Sequence, residues 1–333
     1  MGTVAIFPRV RARSGMYESF YLRAVSPREP VGVWIRNTVQ KRPGERARGS
    51  VWCTVFDASR GRPFQHKLTS DRLTAPAEEW IAVGETDESG EGAVLGAQGA
   101  RGSCGGASWS LRIEQPEPEL RHLPREWLYR TPLPRTKLTS PAPSARFSGT
   151  VRLPDRPMFE LRDWRGMVGH NWGAEHAERW IWLHGIDFED APGAWLDMAL
   201  GRVKLAGRMT PWIANGAISL DGRRLRLGGL GARGLQVSED ASGCTLRLPG
   251  EGGLQLSVRA SVPEGTAAGW RYGDPEGDSG HDVVNCSIAA IELELTLPGG
   301  EAPRTLHSAH GGVYELGMRE RDHGVPIAPF EDR

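Results

Sequence analysis

Short apolar runs follow one another along the chain, and turns rich in glycine and proline separate them. Residues 31–39 and 49–56 are two such runs, each containing Val, Trp and Thr. Further runs cover residues 107–114, 145–153, 180–188, 194–203, 213–220, 223–227, 244–248, 254–260 and 288–297. Many short runs at this spacing are typical of antiparallel sandwiches and barrels. Asp221-Gly222, which lies between two of the runs, predicts a two-residue hairpin turn.

Helical periodicity is scarce in the sequence. No segment repeats apolar residues every 3.6 positions over three turns, and residues 76–80 are the one candidate for a short helix. Strands without covering helices must protect their edges, which favours closed or nearly closed sheets. We therefore predict an all-β fold, and a chain of 333 residues is long enough for two domains.

Residues 115–143 form a proline-rich stretch with few strand signals. It is either a linker or an extended segment that wraps a barrel. Flexible linkers lack aromatic residues, whereas this stretch contains Trp127, Leu128 and Tyr129. The wrapping segment is therefore the preferred interpretation.

Charge and composition narrow the functional classes. Lys and Arg total 41, and Asp and Glu also total 41. A nucleic-acid binder needs a clustered basic surface, so this balance argues against that partner. The N-terminus does not resemble a signal peptide, and no apolar run approaches the roughly 20 residues of a membrane span. The four cysteines lie far apart without metal-finger spacing, which indicates reduced thiols in a cytoplasmic protein.

One stretch, residues 163–187, concentrates tryptophan and histidine. It contains Trp164, Trp172, Trp180, Trp182, His170, His176 and His184. Because side chains alternate between the faces of a strand, Trp180, Trp182 and His184 share one face, as do His170 and Trp172. If both strands face a common space, they form the aromatic wall of an apolar pocket.

Other interpretations of this stretch compete with the pocket. Each tryptophan taken alone can simply fill a core. The spacings between His170, His176 and His184 are not a zinc signature, so we expect no metal site. The chain also lacks a G-x-S-x-G nucleophile elbow. Polar residues among the rings favour a site, because burying each one unsatisfied costs about 1–3 kcal/mol.

The same stretch resembles a known family. Residues 166–173, Gly-Met-Val-Gly-His-Asn-Trp-Gly, followed by Arg-Trp-Ile-Trp-Leu-His at 179–184, look like the junction motif of the AttH/carotenoid 1,2-hydratase proteins. Tocopherol cyclase-like proteins have a similar R-W-x-W strand. The resemblance implies two lipocalin-like barrel domains packed together, here residues 1–174 and 175–333. It also implies a hydrophobic isoprenoid- or polyketide-like ligand near their junction, and hydration or cyclisation without a cofactor.

The resemblance carries over to few positions: His170, Trp172 and Gly173 match the motif. Gly169 stands where the hydratases have Asp, and Asn171 stands where they have Glu. The remaining candidate catalytic acids are His170, Asp163, Glu175 and His176. The candidate substrate-binding residues are Trp34, Trp164, Asn171, Trp172, Arg179, Trp180, Trp182 and His184.

Two other functions are compatible with the sequence. The protein is then either a non-catalytic carrier of lipids or a structural protein with a packed core and no cavity.

Two further groups of polar residues are weaker candidates for a site. A polar cluster contains Tyr272, Asp274, His281, Asp282 and Asn285, beside the loop 273–280, which is either a solvated hairpin or a lid. Arg36 or Lys67 is expected to form a structural ion pair with Glu18.

Overall fold

The computed structural model describes residues 2–86, 90–205, 207–229, 231–276, 280–297, 302–320 and 323–330. Almost all regular structure in these ranges is antiparallel β, which confirms the predicted all-β class. Short 3-10 helices occur at Phe7–Arg9, Ala58–Arg60, Glu126–Tyr129 and Glu251–Gly253. None of the described helices has the length and apolar character needed to cross a membrane.

Two large sheets and one small hairpin account for the strands of the described residues. The first sheet contains β1 (Met16–Val25), β2 (Val31–Lys41), β3 (Arg48–Asp57), β4 (Phe64–Ser70), β5 (Leu73–Thr74), β6 (Ile81–Gly84), β7 (Gly92–Leu95), β8 (Gly99–Cys104), β9 (Ala107–Glu114), β10 (Leu120–Arg121), β11 (Thr136–Arg152) and β12 (Phe159–Gly173). The second sheet and the hairpin contain β13 (Arg179–Gly185), β14 (Trp195–Arg202), β15 (Lys204–Leu205), β16 (Arg208–Met209), β17 (Ile213–Leu220), β18 (Arg223–Gly228), β19 (Gln236–Asp240), β20 (Gly243–Pro249), β21 (Gln255–Ser261), β22 (Ala268–Gly273), β23 (Gly280–Thr296) and β24 (Arg304–Met318). Only β15 and β16 form the separate hairpin.

The first sheet curls until its two ends approach each other. Its order is β4-β3-β2-β1-β12-β11-β9-β8-β7-β6-β5, with β10 paired to β11. Val51 of β3 and Ile81 of β6 are far apart in that order, yet they share one core with Phe20 and Val168. The sheet is therefore a nearly closed barrel.

The second sheet is built in the same way. Its order is β18-β17-β14-β13-β24-β23-β21-β20-β19, with β22 paired to β23. An isolated bridge joins Leu227, near one end of the sheet, to Gly250, which follows β20 near the other end. Leu183, Leu246 and Leu227 belong to one core. Both sheets are thus barrel-like, as expected for a lipocalin-like fold.

Strands β1 and β13 are buried on both faces, because one face closes a barrel and the other meets the neighbouring sheet. On β1, Phe20 and Leu22 belong to the core of the first barrel. The alternate residue Tyr21 packs instead with Trp182 of β13. The alternation of β1 and β13 thereby places rings and charged groups between the two sheets.

Arg23 of β1 joins the sheets directly. Its Nη1 donates to His184 Nδ1 and to the carbonyl oxygen of Gly311, and its Nη2 donates to the carbonyl oxygen of Ser287, each at 3.0 Å. Burial lowers the pKa of Arg23 to about 10. Three hydrogen bonds from one fully buried guanidinium hold the two sheets in register.

The predicted local features meet different outcomes. The Asp221-Gly222 hairpin is confirmed, since β17 and β18 pair around it and both residues have positive φ. The helix predicted at residues 76–80 is wrong: these residues form a turn, and the amide of Trp80 donates to the carbonyl oxygen of Leu95. The backbone of Trp80 is therefore hydrogen-bonded to β7 and not to a helical turn.

The proline-rich segment before β11 wraps the second barrel, as predicted. Glu117 accepts hydrogen bonds from Trp195 Nε1 at 2.8 Å and from Arg224 Nη2 at 3.0 Å. Further along, His122 is buried near β17, where its Nδ1 lies 3.4 Å from the carbonyl oxygen of Asn215. The segment starts in one sheet and packs on the other, so it covers the space between them.

The four cysteines are free and buried. Burial raises the pKa of the Cys244 thiol to about 12 and of the Cys286 thiol to about 11. These thiols are therefore protonated and lack the thiolate needed for nucleophilic chemistry.

Candidate functional site

A cavity of about 990 Å³ lies between the two sheets. The first sheet contributes Tyr17, Tyr21, Trp34, Arg36, Thr136, Leu138 and Asn171 to its wall. The second sheet contributes Trp180, Trp182, Ala199, Leu200, Gly201, Ile213, Asn215, Tyr272 and Glu315. The wrapping segment and the chain around β15 border its mouth with Trp127, Leu133, Val203 and Leu205, all of which are exposed. Two other pockets of the described residues are smaller, at about 420 and 20 Å³.

Aromatic rings form the inner wall, and two glycines make room for them. Tyr21 and Trp182 meet edge to face, with ring centroids 5.1 Å apart. A Cβ atom on Gly169 would lie 2.1 Å from Tyr21 Cζ, and one on Gly317 would lie 2.0 Å from Trp180 Cζ2. Each ring therefore lies flat over a glycine of a neighbouring strand.

A buried carboxylate orders the aromatic groups of the second sheet. Glu315 accepts hydrogen bonds from Trp180 Nε1 at 2.9 Å, from Asn285 Nδ2 at 3.0 Å and from the Tyr272 hydroxyl at 3.3 Å. Burial raises the pKa of Tyr272, so its hydroxyl stays protonated and can donate to Glu315. Three hydrogen bonds hold the Glu315 carboxylate in one position in the cavity wall.

A buried cation packs on the ring of Tyr272, whose hydroxyl donates to that carboxylate. Arg36 is 5% exposed, its Nε donates to Ser19 Oγ at 2.6 Å, and its guanidinium carbon lies 4.0 Å from the centroid of the Tyr272 ring. The predicted ion pair with Glu18 is wrong, because Glu18 instead contacts His170, with Nε2 and Oε1 2.8 Å apart. Alternation explains the difference, since Arg36 faces the cavity and Glu18 faces the first barrel.

Two histidines, His122 and His176, line the cavity, and His176 lies against its aromatic wall. Its ring stacks on Tyr17 with centroids 3.9 Å apart, and its Nδ1 lies 3.1 Å from Asp274 Oδ1. A carboxylate acceptor holds the proton on Nδ1 and leaves Nε2 as the reactive nitrogen. His176 Nε2 is buried and has no hydrogen-bond partner among the described residues. This geometry is that of a general acid–base pair.

A second histidine approaches the same carboxylate. His281 Nδ1 lies 3.8 Å from Asp274 Oδ1, and burial together with His176 lowers the pKa of His281 to about 3. Donor atoms of His176, Asp274 and His281 lie within 4.8 Å of one another, a set that a transition metal can use. Arg319 Nη2, however, lies 3.3 Å from Asp274 Oδ2 and already supplies a positive charge. That charge opposes the binding of a cation.

A polar group borders another part of the wall. Asp197 accepts from Ser140 Oγ and from Trp182 Nε1, and its Oδ2 lies 3.4 Å from His122 Nε2. Burial alone would raise the pKa of Asp197, but His122 and the hydrogen bond from Ser140 hold it below its usual value. Ser140 donates to the acid and not to the histidine, so these residues do not form a nucleophilic triad.

The predicted site residues separate into two groups. Those that line the cavity are Trp34, Asn171, Glu175, His176, Trp180 and Trp182. Glu175 is partly exposed and pairs with Arg135 at 2.8 Å. Asn171 Oδ1 is buried without a partner among the described residues, so a polar acceptor in the cavity wall is available to a ligand.

The other predicted residues lie away from the cavity wall. His170 stacks between Phe20 and Trp172 inside the first barrel, with centroid distances of 4.1 and 4.5 Å. Trp164 belongs to the same core. Register decides this arrangement, because His170 pairs with Phe20, whose side chain points inward, while Asn171 pairs with Ser19 on the cavity side.

Three further predicted residues have structural partners. Asp163 is exposed and forms an ion pair with Arg146. Arg179 Nε donates to Glu239 at 2.8 Å. His184 Nε2 donates to the carbonyl oxygen of Pro143 at 2.9 Å and its Nδ1 accepts from Arg23, so both ring nitrogens are used at the junction.

Comparison with known proteins places this geometry in context. No family model matches the chain. It is similar to two uncharacterised Mycobacterium tuberculosis proteins, Rv0493c of strain H37Rv and MT0513 of strain CDC 1551. Each is 25% identical over 320 residues, which cover 95% of this chain and 90% of the relative.

Two solved structures share the arrangement of both sheets. An AttH-like protein from Nitrosomonas europaea, NE1406, has a TM-score of 0.53 at 13% identity, covering 96% of this chain and 98% of that one. Kievitone hydratase from Nectria haematococca has a TM-score of 0.53 at 8% identity, covering 95% of each chain. This chain has an AttH-like fold. Within this AttH-like fold, Gly169 and Asn171 both lie on the strand face that meets the cavity.

Several cavity residues carried only a weak signal in the sequence. Tyr17, Tyr21 and Arg36 are isolated residues within β1 and β2, and Tyr272 belongs to the polar cluster beside the loop 273–280. Glu315 gave no local signal, since it lies within an ordinary strand. The polar group that continues past Gly273 includes residues 277–279, which lie outside the described residues, so the lid stays a prediction.

Proposed function

We propose that the cavity binds a hydrophobic small molecule, isoprenoid- or polyketide-like, and that the protein hydrates or cyclises it. The observation that carries this proposal is one cavity of about 990 Å³ whose wall combines Trp180, Trp182 and Tyr21 with His176. Ligand pockets are commonly 300–1,000 Å³, mostly apolar, with a few placed polar groups. The volume suits a ligand at the large end of that range.

His176 is the group best placed to move a proton. When protonated, its Nε2 can donate to one carbon of a C=C bond, while Asp274 at 3.1 Å from Nδ1 stabilises the ring. The cation formed on the other carbon takes up water in a hydration, or a second nucleophilic group of the same molecule in a cyclisation. The proton released in that step returns to Nε2, so the cycle needs no redox partner.

The surrounding rings favour the same chemistry. Trp180 lies 5.6 Å from His176 and 6.1 Å from Tyr272, measured between ring centroids. Electron-rich ring faces stabilise a nearby cation, more strongly where water is excluded. Arg36 and Glu315 offer fixed polar contacts to a hydroxyl or carbonyl end of the ligand. Kievitone hydratase, which has a similar fold, is a hydratase by name.

A non-catalytic carrier is the second candidate, and one observation favours it. Gly169 occupies the position of the hydratase aspartate, and Tyr21 fills the space in which such a side chain would lie. If His176 does not transfer a proton, the same aromatic cavity would hold the ligand without converting it.

Ligand retention tests the cavity. Gly201 lies on the cavity wall, and a Cβ atom there would meet only Ala177 Cβ at 3.5 Å, so Gly201→Phe should fill space without a clash. Gly193→Phe is the matched control, because a Cβ atom at Gly193 meets nothing within 4 Å. We expect mass spectrometry of extracts from the purified protein to show a bound lipophilic molecule in the wild type and in Gly193→Phe, and loss of it in Gly201→Phe. Equal retention in all three proteins would place the ligand elsewhere.

Turnover of the molecule so identified tests the chemistry. His176→Gln and Asp274→Asn should each lower kcat by about 10²–10⁴-fold, the range for a general acid–base group, while the ligand still binds. Unchanged turnover in His176→Gln would remove the proton-transfer step. Retention without any turnover in the wild type would favour the carrier.

A further inference from the structure

We propose that the mouth of the cavity docks on an anionic lipid bilayer and takes its ligand from that bilayer. This inference rests on the proposed hydrophobic ligand and adds the source from which it comes. The surface concerned consists of residues 123–135 of the wrapping segment and residues 203–205 with 207–210 around the β15–β16 hairpin. We call it the cavity rim.

Exposed apolar side chains converge on the cavity rim. Among the described residues, the exposed large hydrophobic side chains are Val4, Trp127, Leu133, Met158, Val203 and Leu205. Four of these six also line the cavity: Trp127 at 58% exposure, Leu133 at 66%, Val203 at 44% and Leu205 at 71%. Scattered apolar residues on a surface need no explanation, but a contiguous group marks an interaction site.

The composition of the rim matches a lipid interface. Trp127 has an amphipathic ring of the kind that concentrates at the level of lipid headgroups. Leu133 and Leu205 come from separate segments that both border the same opening. Apolar side chains from two loops around one mouth can enter the headgroup region together, and the cavity then opens toward the acyl chains.

Charge on the rim points to anionic lipid. Its two segments carry five basic side chains, Arg125, Arg130, Arg135, Lys204 and Arg208, and one acid, Glu126, although the whole chain is neutral. Glu126 is paired with Arg121, and two of the basic groups, Arg135 and Lys204, are paired with Glu175 and Glu178 of the cavity wall. Arg125, Arg130 and Arg208 are exposed and form no ion pair with any residue in the part of the chain that the structure describes. Such basic groups beside apolar anchors attract the headgroups of an anionic leaflet.

A bilayer also suits the ligand better than water does. A molecule that fills an aromatic cavity partitions into membranes, so its concentration in water is low. Docking the open mouth on the bilayer lets the molecule move from one apolar phase to another without crossing water. A second copy of the chain is the competing occupant for this surface, and the experiment separates the two.

Vesicle co-sedimentation tests the proposal. We expect the full-length protein to bind vesicles of phosphatidylcholine with added phosphatidylglycerol more tightly than vesicles of phosphatidylcholine alone, and high salt to weaken that binding. Trp127→Ser combined with Leu205→Ser should lower the partition coefficient by about ten-fold or more. Arg125→Glu combined with Arg208→Glu should remove the preference for anionic vesicles. Met158→Ser, which changes an exposed apolar residue away from the rim, is the control and should bind as the wild type does.

The outcomes separate this proposal from the proposed function. Gly201→Phe should still bind vesicles while losing the ligand. Arg125→Glu combined with Arg208→Glu, at two residues that do not line the cavity, should still retain ligand added in detergent but fail to extract it from anionic vesicles. Absence of vesicle binding by the wild type overturns docking and leaves the cavity proposal intact. Concentration-dependent dimers that Trp127→Ser with Leu205→Ser abolishes, without vesicle binding, would overturn it in favour of a second copy.

Discussion

The stretch rich in tryptophan and histidine, residues 163–187, has different surroundings before and after Gly173. Before that residue, His170 and Trp172 stack on each other in the first barrel, and Glu18 lies 2.8 Å from His170 Nε2. After it, Trp180 and Trp182 border a cavity of about 990 Å³. Similar side chains therefore give closed packing in one half and an open wall in the other, so Trp and His content alone does not mark a site.

Neighbouring residues decide which half stays open. In the first half, the amides of Ile6 and Phe7 donate to Glu18, so the N-terminal segment completes the packing. In the second half, the residues beside Trp182 and Trp180 on β14 are Ala199 and Gly201. Small side chains beside large rings leave volume unfilled. The cavity follows from that pairing.

The largest expected effect on stability comes from removing the Glu18 carboxylate, which holds the closed half together. Glu18→Ala should lower the free energy of unfolding by about 3 kcal/mol, because Ile6, Phe7 and His170 lose a buried charged acceptor. Urea denaturation measures it. Glu29→Ala, at an exposed acid, should change stability by less than about 0.5 kcal/mol. Equal values for the two variants would show that Glu18 does not hold the N-terminal segment.

Alternation within strands could be predicted from the sequence, but the partners of each face could not. The apolar runs and the Asp221-Gly222 turn are local signals, and they identified the all-β fold. The cavity depends on pairs distant in sequence: Tyr21 lies over Gly169, and Glu315 accepts from Trp180 and Tyr272. Because a one-residue change of register exchanges the two faces, His170 and Trp172 could not be separated from Trp180 and Trp182 by spacing alone.

The close packing of Tyr21 over Gly169, near the boundary between the halves, can be tested by substitution. A Cβ atom there would lie 2.1 Å from Tyr21 Cζ, so Gly169→Ala should lower the free energy of unfolding by about 2 kcal/mol. Gly201→Ala is the control and should change it little, since its Cβ would make an ordinary contact at 3.5 Å. Adding Tyr21→Ala should reduce the loss caused by Gly169→Ala. If the two effects simply add, the ring does not occupy this space.

His184 lies in the second half of the stretch, but it is buried where β13 meets the first sheet. The open wall formed by Trp180 and Trp182 therefore ends before His184. Burial, with the adjacent charge of Arg23, lowers the pKa of His184 to about 3, whereas an unfolded histidine titrates near about 6.5. Between these values the unfolded chain binds a proton that the folded chain does not. The free energy of unfolding should therefore fall as the pH drops from about 6.5 toward 3, by up to about 1.4 kcal/mol per pH unit for this group. Stability from His184 is fully present above about pH 6.5.

Urea denaturation of His184→Gln at a series of pH values isolates that contribution. The variant should be less stable than the wild type at pH 7, because Arg23 and Pro143 lose a partner, and its stability should fall less steeply below pH 6.5. The stability of His184→Gln should still depend somewhat on pH, since burial also lowers the pKa of His281 to about 3. Gly193→Phe should keep the full slope. Parallel curves for wild type and His184→Gln would mean that the pKa of His184 is the same in the folded protein as in the unfolded chain, and that His184 is not shielded from protons at the junction.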